Sequence, residues 1–125
     1  MRKPDMCNKH GEPCLPVVKH GNTTGTTLGH ANGIMSIIHK YGTGSTVGVA
    51  TSMEWCIINA GKQSPVFSAG GDSGSAIVDI RGQMGGKLSG GGGATVATDV
   101  TYATPFWWEL GRIKSYLHHA NLDVV

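Results

Sequence analysis

The chain has 125 residues, 20 of them glycine, with 14% charged and 6% aromatic residues and a formal net charge of +2. Glycine at more than twice its usual share of ~7% excludes a coiled coil or helical bundle, and no three-residue glycine period points to collagen. Ten scattered basic residues against eight acidic ones argue against a nucleic-acid binder and leave one β-rich globular domain with a modest core.

Residues 1–14 are polar, contain Pro4 and Pro13, and read as an irregular N-terminal arm; residues 15–125 form a single domain. The start Met1-Arg2-Lys3-Pro4-Asp5 lacks the apolar stretch of a signal peptide, and no apolar run approaches the ~18 residues of a membrane span. Short β-type segments separated by glycines follow: Pro16–His20, Thr26–His39 with a break near Asn32-Gly33, Thr46–Thr51, Met53–Asn59, Ser75–Asp79, Met84–Ser89 and Asp99–Tyr102. This pattern predicts an all-β fold, a small antiparallel barrel or sandwich. The last element is a single C-terminal helix. Thr104 is placed to cap it and Pro105 to occupy its first position. Phe106, Leu110, Ile113 and Leu117 then form one apolar stripe at helical spacing. Arg112, Lys114, His118 and His119 crowd the end where the helix dipole favours positive charge. Trp55, Trp107 and Trp108 are expected to be packing residues.

Three cysteines, Cys7, Cys14 and Cys56, cannot make a closed disulfide framework. Cys7 and Cys14 are close enough to bridge across a small loop in an oxidising compartment, while Cys56, in Trp55-Cys56-Ile57-Ile58, reads as a buried thiol. Cys7, His10, Cys14 and His20 have zinc-ligand residue types without the spacing of a recognised site, so no metal is expected. Gly85-Gly86-Lys87-Leu88 lacks the Ser or Thr of a phosphate loop, and no helix opens after Gly90–Gly93 as a dinucleotide fingerprint requires. No cofactor is expected. Asn22-Thr23-Thr24 has the form of a glycosylation sequon.

The stretch that carries chemistry is Ser68-Ala69-Gly70-Gly71-Asp72-Ser73-Gly74-Ser75, followed by the apolar Ala76-Ile77-Val78. It resembles the nucleophile segment of the chymotrypsin-like serine proteases, Gly-Asp-Ser-Gly before an apolar strand. Two further segments agree in order and spacing. Lys19-His20-Gly21-Asn22-Thr23-Thr24-Gly25 with Gly29 resembles the strand that opens the second barrel in bacterial members, and Gly86-Lys87-Leu88-Ser89-Gly90-Gly91 the Gly-x-x-Ser-Gly segment. Tyr102-Ala103-Thr104-Pro105 and the following helix resemble the family's C-terminal ending. The resemblance covers residues 15–119 and the second barrel only, with a flavour of secreted fungal relatives that implies secretion.

Carried over residue by residue, the resemblance makes Ser73 the nucleophile. Glycines on either side let the backbone turn tightly enough for the Gly71 and Ser73 amides to converge on one oxyanion. The backbone of Ser89, Gly90 and Gly91 would pair with an extended peptide. Phe67 would line the floor of a specificity pocket in an intact enzyme, or belong to the core of a non-enzyme. Asp72 either pairs with a basic group or caps the turn. The family's catalytic His and Asp, however, lie in a first barrel that has no counterpart here. None of His10, His20, His30, His39, His118 and His119 matches that position.

A serine without a base is a poor nucleophile. The favoured expectation is therefore a non-catalytic or weakly active binding protein whose ligand is a surface receptor, a glycan or a peptide. The alternative is a hydrolase activated by a partner barrel or by a recruited His20, His30 or His39. A second barrel standing alone would expose the face that normally meets the first, which predicts a homodimer.

Overall fold

The computed structural model describes residues 6–7, 11, 13–41, 49–93 and 100–121. Seven strands, β1 (Met6–Cys7), β2 (Pro13–Gly21), β3 (Gly25–Tyr41), β4 (Val49–Asn59), β5 (Ala76–Asp79), β6 (Met84–Gly92) and β7 (Val100–Pro105), precede one helix, α1 (Phe106–Tyr116). The sheet runs β1-β2-β3-β4-β7-β6-β5, and β5 pairs back onto β2 through Val17↔Asp79, Val18↔Val78 and Lys19↔Ile77. Strands β2 to β7 thus close into a six-stranded antiparallel barrel with a C-terminal helix, as the spacing of short strands predicts. Closure pairs β5 onto β2 over Val17–Lys19, so that neither strand is a free edge there.

Alternation decides what lies inside. Val17, Ala31, Ile57, Phe67, Ile77, Leu88 and Ala103 form the buried core, with Leu15 and Trp55 packed against it. Two members are alanines, and glycines bring the strands closer still. A Cβ on Gly29 would stand 2.7 Å from Phe67 Cδ2 and 2.8 Å from Ile57 Cγ2. Gly29→Ala is accordingly expected to overpack the barrel and cost about 1–3 kcal/mol, read as a lower urea midpoint with an unchanged slope.

The break expected near Asn32-Gly33 is a register shift between Ala31 and Met35, where Asn32 Oδ1 accepts a hydrogen bond from the Ile34 amide at 3.1 Å. Beyond it, β3 and β4 continue as a two-stranded ribbon. β2 reaches only to Ala31, and β7 pairs with β4 only over Trp55–Ile57. On this ribbon Ile37 and Met53 sit opposite each other, 62% and 61% exposed. The strands expected over Thr46–Thr51 and Met53–Asn59 run on as the single strand β4 from Val49; residues 46–48 lie outside the described residues, as does Asp99 of the expected last strand. Cys7 and His10 likewise have no described side chain.

The helix start differs from expectation. Pro105 is the cap residue, extended at φ −61° and ψ 134°, and Phe106 is the first helical position. Thr104 is still part of β7, where its hydroxyl donates to Glu54 on β4 at 3.0 Å, and the cap residue Pro105 offers the first helical amides no side-chain acceptor. Helix α1 lies on β6 and β7 and is tied down by Lys87 to Glu109 at 2.5 Å. Phe106 and Leu110 are half-buried, but Ile113 and Leu117 are exposed. Trp107 and Trp108 are 67% and 50% exposed, contrary to their expected packing role. A helix resting on a barrel buries one face, and positions 107 and 108 turn ~100° and ~200° away from Phe106. The Arg112 guanidinium lies 5.9 Å from the Trp108 ring centre.

Candidate active site

The site is built from two turns that hold each other. The first, residues 22–24, joins β2 to β3; the second, residues 69–75, precedes β5. Asp72 links them and is fully buried. Its Oδ1 accepts from the Thr23 amide at 2.7 Å and the Thr24 amide at 3.2 Å, and its Oδ2 from the Thr24 hydroxyl at 2.6 Å and the Ala69 amide at 3.1 Å. Lys19 Nζ lies 3.4 Å from the same Oδ2, with both side chains fully buried. Lys19 also donates to the Thr24 hydroxyl and to the Gly25 carbonyl at 3.0 Å.

Asp72 therefore does both things that the sequence left open. It pairs with a base and it caps the turn. Burial alone would push its carboxyl up, but the Thr24 hydroxyl and the Thr23, Ala69 and Thr24 amides outweigh that and hold it well below the usual carboxylate range. The close approach has a steric condition, because a Cβ on Gly21 would stand 2.4 Å from Asp72 Oδ1.

Gly71 and Gly74 take φ of +99° and +88°, conformations open to glycine, and they turn the backbone sharply on both sides of Asp72 and Ser73. The Thr23 hydroxyl donates to the Gly70 carbonyl at 2.7 Å, the Asp72 amide to Ala69, and the Ser75 amide and hydroxyl to Asp72. Gly74 donates to the Leu88 carbonyl at 2.8 Å and Leu88 to that of Ser75 at 2.9 Å, which brings the turn against β6. Ser73 is exposed at its tip. Its hydroxyl, its amide and the Gly71 amide make no hydrogen bond among the described residues.

A cleft of about 280 Å³ opens beside Ser73, lined by Ser68, Ala69, Gly70, Ser73, Leu88, Gly90 and Gly91. No lining residue carries a charge. Of the residues singled out in the sequence, Ser73, Gly90 and Gly91 meet here, with Gly71 in the adjoining turn. Phe67 and Ser89 do not line it. Phe67 is 1% exposed in the barrel core, its amide bonded to Asn59 and its carbonyl to the Thr27 hydroxyl. Ser89 is the extra residue of a bulge between Leu88↔Ala103 and Gly90↔Tyr102, and its hydroxyl turns to Glu54 Oε2 at 3.0 Å and the Tyr102 carbonyl at 3.1 Å.

None of the described histidines is hydrogen-bonded to Ser73. His20 Nδ1 is engaged with the Thr26 hydroxyl at 2.8 Å and His39 Nδ1 with that of Thr51 at 3.1 Å. His10 lies outside the described residues. Burial pushes the half-buried Cys56 thiol up, with Ser36 opposing the shift. Among the described residues no group of three or more His, Cys, Asp or Glu could hold a metal ion, and no helix is long and apolar enough to cross a membrane.

Sequence reasoning missed Lys19 and Glu54. Each had a signal: a charged residue set in a β-type segment, Lys19 two positions from the core residue Val17 and Glu54 beside Trp55. Ser68, the first residue of the motif, lines the cleft, and its hydroxyl meets that of Thr101 at 2.6 Å. Neither a protein-family model nor a curated protein matches the chain.

Proposed function

We propose that this chain is a peptide-binding protein built on a barrel like the second barrel of chymotrypsin-like serine proteases, with Ser73 on a nucleophile turn to which no described residue supplies an activating base. One observation carries it. Beyond Leu88, no described strand pairs with the β5-facing side of β6, so Ser89–Gly92 presents an open edge next to the cleft that holds Ser73. An extended peptide adding to that edge gains main-chain hydrogen bonds and sends alternate side chains into the cleft. The uncharged lining suits an uncharged side chain of modest size. A peptide carbonyl at the mouth would meet the Gly71 and Ser73 amides, which gives binding without chemistry.

The order of the Gly21, Gly71-Asp72-Ser73-Gly74 and Ser89-Gly90-Gly91 segments and the closed six-stranded barrel support the likeness. A second reading, a serine hydrolase completed by a partner barrel or a recruited histidine, is favoured by the turn itself, which is held in shape by Asp72. Absence of triad members typically lowers rates by ~10⁴–10⁶. The chain alone is therefore expected to label slowly with a fluorophosphonate probe and to show no peptidase turnover above its Ser73→Ala variant. Rapid labelling lost in Ser73→Ala, together with turnover, would establish the hydrolase instead.

Secretion belongs to the same proposal, and so does a homodimer. The facing Ile37 and Met53, both more than half exposed, give the ribbon an apolar surface that a two-fold pair would cover. Light scattering at micromolar concentration is expected to give twice the 13.0 kDa chain mass. A monomer mass would remove the dimer and leave the peptide site untouched.

A further inference from the structure

Glu54 is a buried carboxylate at 7% exposure, and among the described residues no cation pairs with it. Two hydroxyls, Ser89 and Thr104, donate to its Oε2 at 3.0 Å each. Its Oε1 accepts no hydrogen bond among the described residues. Buried carboxylates of this kind are normally matched by a positive partner or several strong donors, because desolvating the charge is costly.

Its position in the barrel says where the partner would come from. On β4, Ile57 is buried inside the barrel with Trp55 packed against the core, so Glu54 stands on the opposite, outer face. Thr101, Ala103 and Pro105 are the inward residues of β7, which puts Thr104 on that same outer face. The Ser89 bulge turns a β6 hydroxyl to this face as well. The carboxylate therefore leans from β4 across β7 toward β6, where it accepts from Ser89 at the start of the open edge, while Lys87, opposite Thr104 on β6, is engaged by Glu109.

We infer that Glu54 forms a subsite for a cationic side chain, lysine or arginine, on the peptide that adds to the Ser89–Gly92 edge. This rests on the proposed peptide site. Successive side chains of an added strand point to opposite faces. One enters the uncharged cleft beside Ser73; its neighbour stands on the outer face beside Ser89. Strands lie ~4.8 Å apart, so a long basic side chain crosses β6 and brings its donors to Glu54 Oε1, while a short or apolar one does not. The peptide selected is thus uncharged at one position and basic at the next.

The test uses the full chain, wild type and Glu54→Gln, on a positional-scanning array of end-capped pentapeptides, followed by titration with matched peptides carrying lysine, acetyl-lysine or norleucine at the selected position. Wild type is expected to prefer lysine over norleucine and acetyl-lysine by roughly tenfold or more, the scale of a charge-assisted hydrogen bond. Glu54→Gln is expected to lose that preference and keep the one for the cleft side chain. The two neutral peptides test the inference on wild type alone, so an unstable variant does not obscure it. Selection at the cleft position with equal binding of lysine and norleucine overturns the Glu54 subsite and leaves the peptide site standing. A basic preference that persists in Glu54→Gln also overturns it. Retention of no peptide overturns both.

Discussion

Replacing Lys19 by methionine is expected to destabilise the protein by about 3–5 kcal/mol, the usual cost of removing one partner of a buried ion pair. Methionine keeps much of the volume, so the loss is electrostatic. Asp72 would stay buried among the Thr23, Thr24 and Ala69 donors without its cation. For a chain of this length that is a drop in Tm of roughly 10–20 °C, measured by circular dichroism. Adding Asp72→Asn to Lys19→Met is expected to recover part of the loss, because the uncompensated charge is gone, and the two single variants should therefore not add. Additive losses would mean that the pair contributes nothing specific.

The same carboxylate sets an acid dependence. Its folded pKa lies below the unfolded value of ~3.9, so Asp72 contributes stability that is complete above about pH 5 and is lost as pH falls toward the folded pKa. Between about pH 7 and about pH 3 the wild type should therefore lose more stability than Asp72→Asn. Urea midpoints at the two pH values check the sign.

Phe67→Ala is expected to be as damaging, about 3–5 kcal/mol, the range for deleting a buried aromatic ring. The ring packs where a Gly29 Cβ cannot fit, Lys19 Nζ stands 5.7 Å from its centre, and the Phe67 backbone is pinned to Asn59 and Thr27. As a core residue, Phe67 should change stability far more than peptide choice. Phe67→Leu, which refills most of the space, is expected to cost much less and to leave the preference at the cleft unchanged. A Phe67→Leu variant of near-native stability with an altered cleft preference would place the ring at the floor of the site.

Periodicity and turn chemistry made much of this molecule readable in advance. Short apolar segments broken by glycines marked the barrel strands, and Asn32-Gly33 marked the place where β3 slips register against β4. Gly71 and Gly74 around Asp72-Ser73 signalled a sharp turn, and both take positive φ. The misses come from long-range contacts that no local pattern encodes. Thr104-Pro105 carries two good helix-start signals, yet the Thr104 hydroxyl is drawn to Glu54, fifty residues away in sequence. Lys19 alternates with Val17 on its strand, but the carboxylate that pairs with it, Asp72, comes from a turn far away in sequence. Phe67, adjacent in sequence to cleft-lining Ser68, belongs to the core instead, its backbone held by Asn59 and Thr27 from other parts of the chain. The cleft itself depends on β6 lying beside the Ser73 turn, a contact made through Gly74 and Leu88.

Backbone hydrogen exchange on the full chain, with and without an array-selected peptide, tests most directly whether the β6 edge is a peptide site. New protection is predicted at Ser89–Gly92 and at the Gly71 and Ser73 amides, and it should vanish when the peptide's pairing amides are N-methylated. Protection confined to helix α1 or to the Ile37–Met53 ribbon, or binding that survives N-methylation, would contradict it.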